Sequence, residues 1–472
     1  LLDPDTDSSW LASGPHEKIK NEKKEIPLPC NIFINRKNSH GIDISEMNNL
    51  EEIKNKINEF KNKKIDAVSI YNNRVGSNKN VNSSFSIADG SEIGTVTYDD
   101  IDSLETILNS NKKCNWENTV VGDRAKILID ISNELETNPY QLIYYLMHEA
   151  GKTIQNSIDE IREAIDFLRY YSNQMLGIEE SNQELEGPTG ELNTLSYSPK
   201  GHFICISPWN FPVAILIGQI SAALISGNKV TIKPSEHTSI LGYLVVKMFH
   251  KNGVPSDILE LVLGDGKHGD MLSKIKNING VAFTGSLPTA KKIQNNLSKN
   301  QKEILPLIAE TGGINVMIVD SSALLEQATD DIVRSAFDSS GQRCSALRVL
   351  CIQDEIYEEL LEMVKGSMQE LKIGNPENFD TDIGPIINSA AKDKLQSYIE
   401  NNSKSGLSIY QSETKEMGAH ISPTIIEINK LTDLSEEQFG PILHVLKFKS
   451  SDVDSLINEV NNSGYGLTMG IH

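Results

Sequence analysis

Apolar residues recur every three or four positions over residues 123–134, 139–151 and 156–176. That spacing lays one apolar stripe along a helix and predicts three consecutive amphipathic helices. From residue 202 the pattern changes. Short apolar runs at 202–207, 229–233, 260–263 and 280–283 read as buried strands, and the stretches between them, 212–226, 239–252 and 270–275, read as helices. Alternation at this interval predicts βαβ units and a parallel, doubly wound sheet. The second half repeats it, with strands at 315–319, 349–352 and 442–448 and helices at 324–338 and 355–369. Residues 183–200 are polar and carry Gly187 and Gly190, which predicts a hairpin. The first 80 residues are polar, rich in Asn and Lys and broken by Pro27 and Pro29, with room for one amphipathic helix at 51–60. They read as an arm or linker, partly extended.

Length and composition narrow this picture. At 472 residues the chain exceeds one core and implies two or three domains. A net charge of -21 argues against nucleic acid or an anionic membrane as the main partner. Cysteines at 30, 114, 205, 344 and 351 form no CxxC pair, and an odd, irregular set reads as reduced thiols in a cytoplasmic protein. The ten histidines show no HxxxH or HExxH spacing, so no metal is expected. The longest apolar run, 211–227, contains Gln219 and Ser221 and lies between Pro212 and Gly227, which suits a buried helix and not a membrane span. No signal peptide precedes it. The chain opens on Leu1 without a methionine and stops at His472 within a strand-like run. It is therefore expected to be a fragment of a longer polypeptide.

Six short motifs carry candidate chemistry. Cys344 lies in Gly341-Gln342-Arg343-Cys344-Ser345-Ala346, among small residues, with an arginine beside it. Neighbouring positive charge favours a thiolate nucleophile, although a lone cysteine is more often an inert buried thiol. Asn210, in Pro208-Trp209-Asn210-Phe211-Pro212, follows a strand and is braced by two prolines. It can donate to an oxyanion or simply cap the next helix. Lys233 and Glu236, in Lys233-Pro234-Ser235-Glu236, end a strand where open sheets bind ligands; they can hold ribose hydroxyls, with Glu236 repelling a 2′-phosphate, or form a solvated turn. Thr284, Gly285 and Ser286 offer N–H groups for a pyrophosphate or an ordinary helix cap. Glu310 precedes Gly312-Gly313 and can swing as a general base, or be a surface acid in a turn. Glu437 and Phe439, in Glu437-Gln438-Phe439-Gly440-Pro441, can bind a ribose and pack on a flat ring, or form a loop with one buried aromatic. The run Gly264-Asp265-Gly266-Lys267-His268-Gly269 matches GxGxxG, but no acid follows the next strand, so its glycines are expected to shape a turn.

In this order and spacing the six motifs resemble the aldehyde dehydrogenase superfamily from about residue 95 onward. Residues 308–323 and 335–350 look like its pyrroline-5-carboxylate (glutamate semialdehyde) dehydrogenase branch, in the form found as the C-terminal module of bifunctional proline-utilisation enzymes. The resemblance implies an α/β fold of two doubly wound parallel-sheet domains with a hairpin oligomerisation element. The division would be an arm at 1–85, an NAD-binding domain at 86–310 and a catalytic domain at 311–472. It implies NAD as cofactor, a homo-oligomer, and a flavin-dependent proline dehydrogenase domain upstream. Cys344 would attack the aldehyde, Asn210 and the Cys344 N–H would hold the oxyanion, and Glu310 would activate water. Ser345 would hold the substrate carboxylate, Glu149 its ammonium, and Phe211 would line its aliphatic chain. The family's glycine-rich anchor loop for that carboxylate is not found before His472, so NAD binding is expected to persist with dehydrogenase activity low or absent. Two competing functions stay open: an acylating enzyme that passes the acyl group to coenzyme A, and a non-catalytic binding or scaffold protein.

Overall fold

The computed structural model describes residues 27–71, 74–75, 80–109, 115–180, 183–412, 418–434 and 436–472. Residues 1–26 of the expected arm and Cys114 lie outside them. Two large sheets organise the molecule. In the first, the strands run in the order Leu307–Thr311, Gly280–Gly285, His202–Ile206, Lys229–Lys233 and Leu259–Leu261, all parallel, followed by Ile70–Tyr71 and Arg74–Val75, each antiparallel to its neighbour. The parallel strands start from His202–Ile206, wind outward to one side, then return to fill the other. The order therefore reverses between His202–Ile206 and Gly280–Gly285, and a crevice opens at their carboxyl ends.

Both faces of this sheet are covered, which is why its strands read as continuous apolar runs. Cys205, Val230 and Ile232 join one core with the helices Ala214–Ile225 and Ser239–Lys251. Ile204, Val262 and Val281 join another with Leu287–Asn300. The second sheet has the order Ile409–Gln411, Thr424–Ile428, Ile442–Phe448, Leu347–Gln353, Asn315–Val319 and Met469–Ile471; only the first strand is antiparallel. Alternate residues again divide between two cores, Leu350 and Ile352 on one side and Val349 and Cys351 on the other. Two doubly wound layers were thus the correct expectation. Among the described residues no helix is long and apolar enough to cross a membrane.

The expected arm is corrected in part. Residues 65–71 and 80–85 do not form a linker: Ile65–Ala67 and Asn80–Phe85 flank Glu92–Tyr98 in a small sheet, and Ile70–Tyr71 extends the first large one. These strands are short, and Ile65–Ala67 and Ile70 pair with the distant residues Gly94–Val96 and Leu261, which a local pattern does not reveal. The helix Met47–Asn58 and the hairpin Gln183–Leu185 with Asn193–Leu195 are where the pattern placed them. The hairpin follows the 27-residue helix Ile154–Glu180.

Candidate active site

Between the two sheets the chain passes through Glu310-Thr311-Gly312-Gly313, leaving one edge strand and entering Asn315–Val319 of the other. Candidate residues from both layers collect around this crossing. Cys344 is half-buried in the loop ahead of Leu347–Gln353. Asn315 fastens that loop, donating from Nδ2 to the carbonyls of Cys344 at 2.7 Å and Ala346 at 2.8 Å. The Cys344 and Ser345 N–H groups point at the thiol. Asn210 reaches the same loop from the first layer: its Nδ2 donates to the Gln342 carbonyl at 3.1 Å.

The helix-cap reading of Asn210 does not hold. The helix Ala214–Ile225 is not capped by it. The N–H groups of Val213 and Ala214 donate instead to Oε1 of Glu160, at 2.7 and 3.1 Å. Glu160 is fully buried and pairs with Lys152 at 2.7 Å, and the Lys152 ammonium sits 3.8 Å from the centre of the Phe211 ring. A carboxylate from another helix thus satisfies the helix start and leaves the Asn210 amide to the cysteine loop. Among the described residues that amide makes no other hydrogen bond.

The electrostatics overturn one expectation. Arg343 does not serve the thiol: its guanidinium pairs with Asp338 at 2.8 Å and donates to Ser339 Oγ at 3.1 Å. Burial pushes the Cys344 thiol above its ordinary value; Glu437 and, less strongly, Glu310 push the same way, against the two backbone N–H groups. Glu437 accepts from Arg348 at 3.0 Å and from the Gly313 N–H. Gly312 must be glycine for this, because a Cβ there would fall 1.8 Å from a Glu437 oxygen. Arg348, which the sequence reading passed over, is 1% exposed and also donates to the carbonyls of Gly341, Arg343 and Gly440, so one buried guanidinium braces both loops. Phe439 meets Trp209 edge-on at 5.5 Å.

The loop carries strain. Ser339 and Ser340 have φ of 53° and 56°, and Gly341 continues with φ of 63°. Left-handed serines cost about 1–3 kcal/mol each and persist only where neighbours enforce them. At Gly341 the close approach is to backbone, since a Cβ would lie 2.2 Å from the Gly440 carbonyl.

A cavity of about 540 Å³ occupies the crevice at the strand-order reversal, lined by Ser207, Lys233, Glu236, Thr284, Gly285 and Ser286 among others. Lys233 is buried, donates to the Pro234 carbonyl at 3.0 Å and lies 3.8 Å from the exposed Glu236 carboxylate. Ser286 precedes the helix Leu287–Asn300 without capping it; its hydroxyl pairs with Thr289 instead. Thr284, Gly285, Ser286 and Thr289 line the crevice there, and Pro288 in the first turn has no N–H to offer. The GxGxxG run needs a correction. Asp265 caps the helix Gly266–Leu272, and Gly266 and Gly269 line the same cavity, so these glycines shape the crevice wall as well as a turn.

The sequence pattern of the aldehyde dehydrogenase family matches residues 75–472. The chain belongs to this family. The 1-pyrroline-5-carboxylate dehydrogenase of Staphylococcus saprophyticus is 32% identical over 451 residues, 93% of this chain and 86% of that protein. The bifunctional protein PutA of Escherichia coli K12 is 38% identical over 474 residues, 97% of this chain, of which the chain spans only 34%. Among solved structures, a 1-pyrroline-5-carboxylate dehydrogenase from Thermus with bound NAD is similar at a TM-score of 0.85 and 27% identity, covering 92% of this chain and 86% of that one.

For an aldehyde dehydrogenase fold, the catalytic and cofactor candidates fall into two adjoining regions, the crossing and the crevice. The substrate candidates do not all follow. Ser345 is exposed beside Cys344, and Phe211 lies 5.6 Å from the Arg343 guanidinium. Glu149 is elsewhere. Both its oxygens accept from the N–H groups of Ile240 and Leu241 at 2.8 Å, and it is buried under the helix Ser239–Lys251. Burial pushes its carboxyl up to about 8. It is a helix cap and cannot meet a substrate amine. The pattern His148-Glu149-Ala150-Gly151 invited the assignment, but no local signal showed that an orphan helix start lay above it.

Proposed function

We propose that this chain oxidises an aldehyde to a carboxylate with NAD, and that the aldehyde is glutamate γ-semialdehyde. The observation that carries the reading is the Asn210–Gln342 bond, which brings an amide with one N–H still unused from one layer onto the cysteine loop of the other. The similarity to 1-pyrroline-5-carboxylate dehydrogenases supports the substrate class.

The crevice fits NAD. Its volume, the Lys233–Glu236 pair for ribose hydroxyls and the small residues Gly285 and Ser286 in its wall suit the parts of a dinucleotide. Glu437 and Phe439 would complete the hold at the far end. Bound there, NAD takes up the two electrons and one hydrogen that leave the aldehyde carbon. The chain supplies the rest. Cys344, once its proton has passed to water, adds as the thiolate to the carbonyl carbon, forming a C–S bond and an oxyanion held by Asn210 Nδ2 and the Cys344 N–H. After oxidation the acyl group remains on sulfur as a thioester. Glu310 then takes a proton from water, the water oxygen bonds to the acyl carbon, and the C–S bond breaks to release the acid and the thiolate. Among the described residues Glu310 has no side-chain hydrogen bond or ion pair, which leaves it free for this.

The test is NADH formation across a panel of aldehydes by the full-length protein, with and without coenzyme A. Glutamate γ-semialdehyde should have the highest kcat/KM, with no dependence on coenzyme A. Thiol-dependent turnover that prefers another aldehyde would overturn the substrate assignment.

A further inference from the structure

The strained turn before Cys344 is held by a closed ring of four side chains. Asn156 Nδ2 donates to Asp338 Oδ1 at 2.6 Å, and Asn156 Oδ1 accepts from Ser339 Oγ at 3.0 Å. Ser339 Oγ accepts in turn from Arg343 Nε at 3.1 Å, and Arg343 returns to the other oxygen of Asp338 at 2.8 Å. The Ser339 N–H donates to Asp338 at 2.9 Å. Every member but Asn156 belongs to the turn itself. Asn156 comes from the first turns of the helix Ile154–Glu180 and is buried. It is thus the part of the ring anchored outside the loop. Ser340 Oγ, donating to the Gly384 carbonyl at 2.6 Å, anchors the opposite side.

We propose that Asn156 is a positioning residue for Cys344. By pinning Ser339 and Asp338 it keeps Ser339 and Ser340 left-handed, and that conformation aims the Gln342 carbonyl at Asn210 and the thiol at its own N–H groups. The two amides are neighbours: Asn156 and Asn210 line one small cavity with Ser339, Ser340 and Gln342. The amide is required at this position because one end must donate to a carboxylate while the other accepts from a hydroxyl. An aspartate would set two carboxylates against each other. The proposal rests on Cys344 being the nucleophile.

Three variants of the full-length protein test it: Asn156→Asp, Asn156→Ala, and Asn156→Ala with Ser339→Gly. Glycine holds the left-handed conformation without help, so the double variant restores the turn by another route. The readouts are kcat, KM for NAD, Tm, and the pH profile of Cys344 alkylation by iodoacetamide. Both single variants should lose tenfold or more in kcat with KM for NAD within about twofold, since the crevice is not touched. Their alkylation profile should shift, and the double variant should recover at least half of the lost kcat on a logarithmic scale. Unchanged kcat and alkylation in Asn156→Asp, or losses that track Tm without recovery in the double variant, would overturn the proposal. Alkylation needs no turnover. A parent protein that oxidises no aldehyde would defeat the functional reading, and the alkylation profiles would still decide this one.

Discussion

Replacing Asn210 by alanine separates a catalytic amide from a structural one. The structural loss is small. The side chain makes one hydrogen bond, to the Gln342 carbonyl at 3.1 Å. A neutral bond of this kind contributes about 1 kcal/mol. The loop should not unravel, because the Val213 and Ala214 N–H groups are held by Glu160, and Glu160 by Lys152. Removing an oxyanion donor from a preorganised site is worth far more, about 3–4 kcal/mol, or a 10²–10³-fold fall in kcat. The two effects differ enough to be told apart. The assay is NADH formation at saturating aldehyde, beside Tm and the rate of Cys344 alkylation. We expect kcat to fall at least a hundredfold, Tm by a few degrees, and alkylation to persist. A kcat within about threefold of the parent would show that the amide serves only the loop. Loss of alkylation together with kcat would show that the site itself had collapsed.

Other substitutions address the remaining roles. Glu310→Gln should leave the first turnover of NADH intact and stall afterwards with the acyl group on Cys344; full steady-state turnover would remove Glu310 from the water-activating step. Glu437→Gln removes the charge that most opposes thiolate formation, so alkylation of Cys344 near neutral pH should quicken by roughly threefold or more, and a slower rate would contradict the electrostatic ordering. Glu236→Ser should narrow the preference for NAD over NADP, measured as a ratio of kcat/KM; an unchanged ratio would place no ribose at that carboxylate. Glu149, raised to about 8 from 4.5, favours the fold fully only below pH 4.5, and that contribution is lost as pH climbs through 8. Stability to denaturant should therefore fall between about pH 5 and 8, by at most about 1.4 kcal/mol per pH unit from this group. Glu149→Gln should flatten that slope, and an equal slope in both proteins would contradict the assignment.

The sequence made the strands legible wherever both faces are buried. Lys229–Lys233, Asn315–Val319 and Ile442–Phe448 sit where the apolar runs placed them, because continuous apolarity is what a two-sided parallel strand requires. It failed where burial is partial. The edge strand Leu307–Thr311 is mostly exposed, and Ile65–Ala67 is three residues long with its partner at Gly94–Val96, so neither leaves a periodic trace. The site behaved alike. The candidate catalytic residues Asn210 and Cys344 stood out because prolines and small residues frame them. Residues that hold those groups in place did not. Glu160 and Asn156 act across 53 and 182 residues of chain, and Arg348 reaches 92 residues on to Gly440, and a lone charged or amide side chain on a helix or strand carries no local mark of such a partner.

Four carboxylates around the crossing show how one residue type is given different work by its neighbours. Glu160 is buried on two backbone N–H groups and an ammonium, so it stays in place and holds a helix. Asp338 spends both oxygens inside the ring that fixes the turn. Glu437 is mostly buried against Arg348, and its charge bears on the thiol. Only Glu310 is exposed and without a partner among the described residues, at a strand end followed by two glycines. A general base must give up and regain a proton in each cycle, and a carboxylate committed to an ion pair or helix cap cannot do so without breaking that contact. Of the four, Glu310 alone can do so at no structural cost. That freedom is what the proposed role of Glu310 rests on, and the Glu310→Gln variant tests it.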